Sequence, residues 1–438
     1  MEPVKVGLLG LGTVGGGTAN VLSRNAEEIS RRAGRDIIIT HASARDISKP
    51  RLCDTSQMKL TENPLDVVSD PDVEIIVELI GGDTLSKELV LKAIANKKHV
   101  VTANKALIAK YGNEIFSAAQ KNGVMVAFEA AVAGGIPIIK ALREGLAGNT
   151  IDWLAGIING TGNFILTEME QKQRDFADVL AEAQRLGYAE ADPTFDVEGI
   201  DAAHKLTILA SIAFGIPLQF DKVYCEGISK ICREDVEYAS ELGYTIKHLG
   251  VSRRTDNGIE LRVHPTLISR ERLIANVNGV MNAVLVHGDA VGPTLYYGAG
   301  AGSDPTASAV VADIIDVVRV LTTDSENRVP HLAFQPSKIQ DMPILAIDDI
   351  ETAYYCRLTV DDRAGVLAEI TRIFAEFDIS IVSMVQKELH NSQDEKCSIV
   401  LITHKTIENK MNSAISQIQS LECVDGEIVK IRLEELDG

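Results

Sequence analysis

Residues 4–17, VKVGLLGLGTVGGG, leave the N-terminal part of this chain very few folds. An apolar run without alternation reads as a strand covered on both faces. It empties into Gly10-x-Gly12-x-x-Gly15, ahead of a helical pattern. A strand, a glycine turn and a helix in that order open a dinucleotide-binding βαβ unit. The glycines allow a sharp turn and a close backbone approach to pyrophosphate, and the helix N-terminus adds N–H groups and a positive dipole end. Gly10, Gly12, Thr13, Val14 and Gly15 are therefore candidate cofactor contacts. Four further apolar runs, DIIITHAS, VEIIVELIG, KHVVTA and VMVAFEA, alternate with helical patterns as far as residue 130. The expected fold class is α/β, a doubly wound parallel sheet over residues 1–130. The second run ends in THASARD, where an acid reads the ribose of NAD or an arginine accepts the 2′-phosphate of NADP. Both residue types are present, as Arg45 and Asp46. Arg45 comes first after the strand, which favours NADP(H) and leaves NAD(H) open.

The chain has 438 residues, too long for one core, and 45% of them are apolar, so two to three domains are expected. A formal net charge of −19, with no local run of Lys and Arg, argues against nucleic acid or anionic membrane as partners. No apolar stretch reaches the roughly 18 residues of a membrane span. The N-terminus carries no signal-peptide pattern, so the expected location is cytoplasmic. Six scattered cysteines without a CxxC pair fit reduced thiols rather than disulfides or zinc.

After residue 130 the texture changes. Glycine loops, AVAGGIP and GIINGTGN, and a stretch of strands and tight turns suggest an α+β substrate-binding and dimerisation domain over 131–303. The helical pattern at 304–323 would return to complete the first domain. Residues 324–350 contain prolines and little periodicity and read as a linker. Residues 351–438 follow β-α-β-β-α-β, the ferredoxin-like order.

One helix raises a chemical question. GIDAAHKLTILASIAFG, residues 199–215, is apolar on every side beyond its first turns, as a buried helix is. Those first turns carry Asp201 and Lys205, spaced i,i+4 on one face that continues as Ile208 and Ile212. A solvated stripe would stay polar along its length. A polar end alone is expected where a helix borders a pocket.

Five motifs, GLGTVGGG, TANKALIA (102–109), NGTGNFIL (159–166), LGYAEADPTFDVEGIDAAHK (186–205) and GAGAGSDPTASAV (298–310), resemble those of the homoserine dehydrogenase family in the same order, over residues 1 to about 325. The C-terminal unit resembles an ACT domain. That resemblance implies NAD(P)-dependent interconversion of L-homoserine and L-aspartate 4-semialdehyde, in threonine, methionine and isoleucine biosynthesis. It makes Lys205 and Lys105 the catalytic lysines, and places Glu190 and Asp201, with Thr161, Gly187, Tyr188 and Asp196, in the homoserine site. It adds Thr102, Lys105 and Gly302 to the cofactor contacts. It also implies a monovalent cation, Na+ or K+, held by oxygens of Glu129, Val132, Gly134 and Ile136; oxygen donors suit a hard cation.

The chemistry fits those residue types. The substrate ammonium needs carboxylates such as Glu190 and Asp201. The hydroxyl proton needs a base, and a lysine serves if burial or a neighbouring cation lowers its pKa. Lys205 is favoured as the proton carrier, with Lys105 orienting the reacting oxygen. His204, His264 and His287 read as structural. In the ACT unit, TVDDRAGVLAEI puts Gly365 at a helix start, where N–H groups can meet a carboxylate and Asp361 or Asp362 an ammonium. The expected effector is threonine, although Ala364 stands where such turns usually hold proline. A homo-oligomer, dimer or tetramer, is expected. Two alternatives remain from sequence: a dehydrogenase acting on another amino-acid semialdehyde, and a non-catalytic nucleotide and amino-acid sensor.

Overall fold

Uninterrupted apolar runs do become strands, buried throughout at Ile75–Glu78 and His99–Thr102, whereas Ile37–Ser43 is buried only in its second half and leaves Ile38 exposed. The computed structural model describes residues 2–324, 327–388 and 396–436. Its strands are, in chain order, β1 (Val4–Leu9), β2 (Ile37–Ser43), β3 (Lys59–Thr61), β4 (Ile75–Glu78), β5 (His99–Thr102), β6 (Val126–Ala127), β7 (Ile151–Ile157), β8 (Tyr224–Cys225), β9 (Tyr244–Thr255), β10 (Gly258–Ser269), β11 (Met281–Gly288), β12 (Gly292–Ala299), β13 (Glu351–Asp361), β14 (Ile381–Glu388), β15 (Lys396–Thr403), β16 (Thr406–Ile407) and β17 (Val424–Glu434). The chain divides into two compact units, residues 1–160, 201–223 and 280–342 in one, 161–200, 224–279 and 343–438 in the other. The stretch read from sequence as one domain, 131–303, contributes to both.

In the first unit a six-stranded sheet has the order β3-β2-β1-β4-β5-β6, with every pairing parallel. This is a doubly wound sheet whose topological switch point lies between β1 and β4, and ligands bind such sheets outside the carboxyl ends of the strands there. Helix Ser303–Val320 does return: Ala307, Val310, Ile314 and Val317 pack in one core with Val4, Val6, Leu8, Ile75 and Val101. Strand β3 is an addition; three residues, KLT, carry too little pattern to register in sequence. Strands β7, β11 and β12 form an antiparallel group in the same unit.

In the second unit β13, helix Val366–Glu376, β14, β15, helix Glu408–Gln419 and β17 follow the expected ferredoxin-like order, with the sheet running β17-β13-β15-β14. Its edge strand β17 also pairs in parallel with β10, Thr266 opposite Arg432, and β10 pairs with β9 in a long antiparallel hairpin. Alternate residues of β10, Glu260, Arg262, His264 and Thr266, share a face and are all buried. The Arg262 guanidinium meets Glu260 at 2.7 Å and Glu434 at 2.6 Å. Arg432 meets Glu408 at 2.6 Å and Glu226 at 2.6 Å. Charges are tolerated inside only when paired and hydrogen-bonded in this way.

Candidate active site

The glycine turn after β1 divides its three positions by what surrounds them. Gly10 has φ 97°, and a Cβ there would lie 2.8 Å from the Leu79 carbonyl oxygen. A Cβ on Gly15 would lie 2.0 Å from the Gly10 oxygen, so this glycine permits the helix to pack on the turn. Around Gly12, at the N-cap of helix Thr13–Arg24, a Cβ would meet nothing within 4 Å. A turn, an open approach and a packing contact are the three uses of a pyrophosphate-binding loop. Thr13 and Val14 begin the helix, and Ser303, next to Gly302 (φ 121°), donates its hydroxyl to the Thr13 carbonyl at 3.0 Å. At the end of β2 the Asp46 carboxylate is engaged by the Ser48 hydroxyl and N–H, which hold its pKa down, whereas Arg45 is exposed. These residues fit a dinucleotide.

The carboxyl end of β5 leads directly to the second part of the site. Asn104 caps helix Lys105–Asn122 by accepting the Leu107 N–H, and this puts Lys105 on the helix's first turn. Helix Ile200–Phe214 is buried along almost all of its length, and it carries Asp201 on its first turn. Asp201 stands between two ammonium groups, Lys205 Nζ at 2.6 Å and Lys105 Nζ at 3.1 Å. Burial works to raise the Asp201 carboxyl, but Lys205 and Lys105 outweigh it and hold the group well below the usual carboxylate range. Lys205 also donates to the Ile158 carbonyl at 2.6 Å, and the Asn159 amide donates to Asp201 at 2.8 Å. The i,i+4 pair is thus part of a cluster in which two lysines meet one buried carboxylate. Standing between the two ammonium groups, Asp201 offsets their mutual repulsion. Sequence reasoning passed over Asn159, although the motif NGTGN begins with it.

A second omission is Glu78, the last residue of β4, which is fully buried. Its signal was available: a lone carboxylate closing an otherwise apolar strand. It accepts hydrogen bonds from the Thr102 hydroxyl at 2.7 Å and the Ser86 hydroxyl at 2.9 Å.

The remaining candidate substrate residues lie in the second unit. Thr161 sits on the first turn of helix Gly160–Lys172 and donates its hydroxyl to the Tyr188 carbonyl at 2.6 Å. Gly187 (φ 77°) closes helix Phe176–Leu186, and the Tyr188 ring stacks edge-on against Phe164. Glu190 is exposed, with its carbonyl accepting from Gln184 at 3.0 Å. Asp196 lies in the short helix Thr194–Val197.

Among the histidines, His264 is buried against Arg262, and burial, with Arg432 and Arg262, keeps its pKa well below the usual value. His204 stacks on Phe220, and His287 pairs with Asp152 while stacking on Trp153. All three contacts suit structural roles.

The candidate cation loop is buried at Glu129, Val132 and Ile136. The Glu129 carboxylate is already committed, accepting the N–H groups of Ile139 at 2.8 Å and Lys140 at 2.9 Å. What this residue can offer an ion is its main-chain oxygen. Ala133 and Gly134 have φ of 53° and 50°, and a Cβ on Gly134 would lie 2.5 Å from the Gly300 oxygen. The carbonyls of Val132 and Gly134 accept no backbone N–H among the described residues. The Glu129 carbonyl already accepts the Val132 N–H at 3.3 Å and the Ile136 carbonyl the Ile138 N–H at 2.8 Å, so the spare oxygens that suit a hard monovalent cation here are those of Val132 and Gly134.

In the ferredoxin-like domain, Gly365 (φ 100°) is the N-cap of helix Val366–Glu376. Asp361 ends β13 with its N–H bonded to the Cys423 carbonyl at 2.9 Å, and Asp362 follows it on the exposed turn.

The sequence pattern of homoserine dehydrogenase matches residues 137–315, that of the homoserine dehydrogenase NAD-binding domain matches residues 10–129, and that of the ACT domain matches residues 354–423. A homoserine dehydrogenase of Pseudomonas aeruginosa is 66% identical over 437 residues, covering 100% of both chains. The crystal structure of a homoserine dehydrogenase from Thiobacillus denitrificans matches with a TM-score of 0.95 at 66% identity, covering 100% of this chain and 99% of that one. A hyperthermophilic archaeal homoserine dehydrogenase in complex with NADPH matches with a TM-score of 0.62 at 27% identity, covering 72% of this chain and 97% of that one.

Proposed function

Since this chain belongs to the homoserine dehydrogenase family, oxidoreductases that interconvert L-homoserine and L-aspartate 4-semialdehyde, we propose that its Lys205 carries the proton of that reaction. The observation that supports this is the Asp201 carboxylate held between Lys205 and Lys105 at the start of a buried helix. When bound, the nicotinamide supplies or accepts the hydride. In the reducing direction the Lys205 ammonium protonates the forming alkoxide; in the oxidising direction its neutral amine takes the hydroxyl proton. Lys105 orients the reacting oxygen, and Asp201 fixes both lysines. Glu190 receives the substrate ammonium, and Thr161, Gly187, Tyr188 and Asp196 complete substrate recognition.

The same reading extends to the cofactor and to regulation. Gly10, Gly12, Thr13, Val14, Gly15, Thr102 and Gly302 hold the dinucleotide. Arg45 takes a 2′-phosphate, which makes NADP(H) the preferred cofactor; the archaeal relative solved with NADPH supports this choice. Main-chain oxygens of Glu129, Val132, Gly134 and Ile136 hold Na+ or K+. Threonine binds at Asp361, Asp362 and Gly365 and inhibits. The enzyme works as a dimer or tetramer in the cytoplasm, within threonine, methionine and isoleucine biosynthesis; no described helix is long and apolar enough to cross a membrane.

Steady-state reduction of aspartate semialdehyde with NADPH and with NADH, each with and without millimolar threonine, tests these points together. The expected result is preference for NADPH and inhibition by threonine that Asp361→Ala or Asp362→Ala relieves. Point variants are the right tool. Deleting residues 345–438 would remove Glu434 and Arg432 and leave Arg262 with only one of its two buried carboxylate partners, Glu260. An enzyme that ignores threonine contradicts the regulatory role, and equal use of both cofactors contradicts the one given to Arg45.

A further inference from the structure

The fully buried Glu78 makes a set of contacts that the reaction outlined above does not use. Its Oε1 accepts the Ile80 N–H at 2.9 Å, the Gly81 N–H at 3.4 Å and the Ser86 hydroxyl at 2.9 Å. Its Oε2 accepts the Thr102 hydroxyl at 2.7 Å. Among the described residues no cation pairs with it. A buried carboxylate is costly unless its lone pairs are met, and here every donor comes from the segments that follow β4 and β5. The first three lie on the turn after β4 and the helix it enters, Thr84–Ala95. The fourth ends β5.

From Thr102 the connections run straight to Lys105. The Thr102 oxygen accepts the Asn104 N–H at 3.0 Å. The Asn104 amide donates to the Gly82 carbonyl at 2.5 Å, returning to the first loop, and its oxygen accepts the Leu107 N–H at 3.0 Å. Lys105 is the next residue, the first of its helix, and its ammonium reaches Asp201 at 3.1 Å. One carboxylate therefore ties both loops at the carboxyl ends of β4 and β5, on the side of the switch point opposite the glycine turn. We propose that Glu78 is a positioning residue that sets Lys105 for its part in turnover. This inference rests on the assignment of Lys105 to the reacting oxygen.

Glu78→Gln removes one of the two acceptors that tie the loops together. A carboxylate accepts on both oxygens, whereas an amide accepts on one side only, so the isosteric variant leaves one loop without its acceptor. The experiment is a double-mutant cycle of kcat at saturating cofactor, using Glu78→Gln, Lys105→Met and the pair, on enzyme shown to be folded by its melting transition. Misplacing a reacting group by about 1 Å can cost on the order of 100-fold; the expected loss for Glu78→Gln alone is about tenfold or more. In the Lys105→Met background the same change should cost less than about twofold, since residues acting as a unit are not additive. Thr102→Val, which removes the connecting hydroxyl, is the second variant should Glu78→Gln fail to fold. Because Thr102 is also assigned to the dinucleotide, KM for the cofactor is measured beside kcat, and at saturating cofactor kcat should show the same pattern with a smaller loss. A structural role alone would lower the melting temperature and leave kcat of folded enzyme intact. Unchanged kcat, or the same fold-loss in both backgrounds, overturns the inference while leaving Lys105 in place. Full turnover in Lys105→Met overturns the Lys105 assignment and this inference with it.

Discussion

Two regions of this molecule bury charge, and they do so in opposite ways. The cluster at the start of helix Ile200–Phe214 uses lysines, two of them around one carboxylate, with Lys105 a third exposed. The network between β10, β17 and helix Glu408–Gln419 uses arginines at its centre, and each positive group meets a carboxylate. Arg262 stands between Glu260 and Glu434, while Arg432 and Lys430 share Glu408. Arginine does not give up its proton, and its planar fork suits fixed two-point pairing. Lysine can change charge state when its surroundings change. Burial of charge alone therefore says little about chemistry; the type of cation is what distinguishes the cluster proposed to carry the proton from a structural joint.

The largest effect that bears on this contrast is expected from Lys205→Ala. Losing general acid–base help costs about 10²–10⁴ in rate, and kcat should fall by that much while NADPH binding, followed by its fluorescence, persists. Arg432→Met should do the reverse. Removing one partner of a buried pair costs about 3–5 kcal/mol of stability. Denaturant unfolding should show that loss, with kcat of the folded fraction close to normal. The same network gives a pH signature. Burial tends to raise Glu408 and Glu434, but Arg432 and Lys430 for the former and Arg262 and Arg253 for the latter hold both low. Their stabilisation is present above the ordinary glutamate pKa and fades as pH falls through the depressed native values. The smallest expected effect lies outside both regions. Arg45→Ala should weaken NADPH by about 1.5–3 kcal/mol, the worth of a charge-assisted bond, and leave KM for NADH nearly unchanged.

The two regions also differ in how far sequence reveals them. Asp201 and Lys205 are four residues apart on one helix, so their shared face is legible from spacing alone. The uninterrupted apolar runs of β1, β2, β4 and β5 likewise announce a doubly covered sheet. The arginine network is assembled from β8, β10, β17 and a helix start, segments up to 208 residues apart. The alternation in ELRVHPTLIS is the ordinary mark of a strand with one wet face, yet both faces of β10 are buried. Nothing local predicts that β17 will pair with it. Asn159 and Glu78 are half legible: a motif that begins with Asn159 and a lone carboxylate closing an apolar strand mark the positions, but only the fold brings their hydrogen-bond partners near. The proposed cation loop is suggested by family resemblance alone, because main-chain oxygens leave no trace in residue type.

On the mechanism proposed above, the Lys205 amine itself exchanges the substrate proton. Chemical rescue tests it most directly. Folded Lys205→Ala, with the side chain cut back to a methyl, is assayed for homoserine oxidation at saturating cofactor with increasing methylamine or ethylamine. Turnover is expected to rise with amine concentration and, across pH, to follow the free-base fraction. Turnover near that of the unaltered enzyme without amine, or a rate indifferent to amine at every pH, would contradict it.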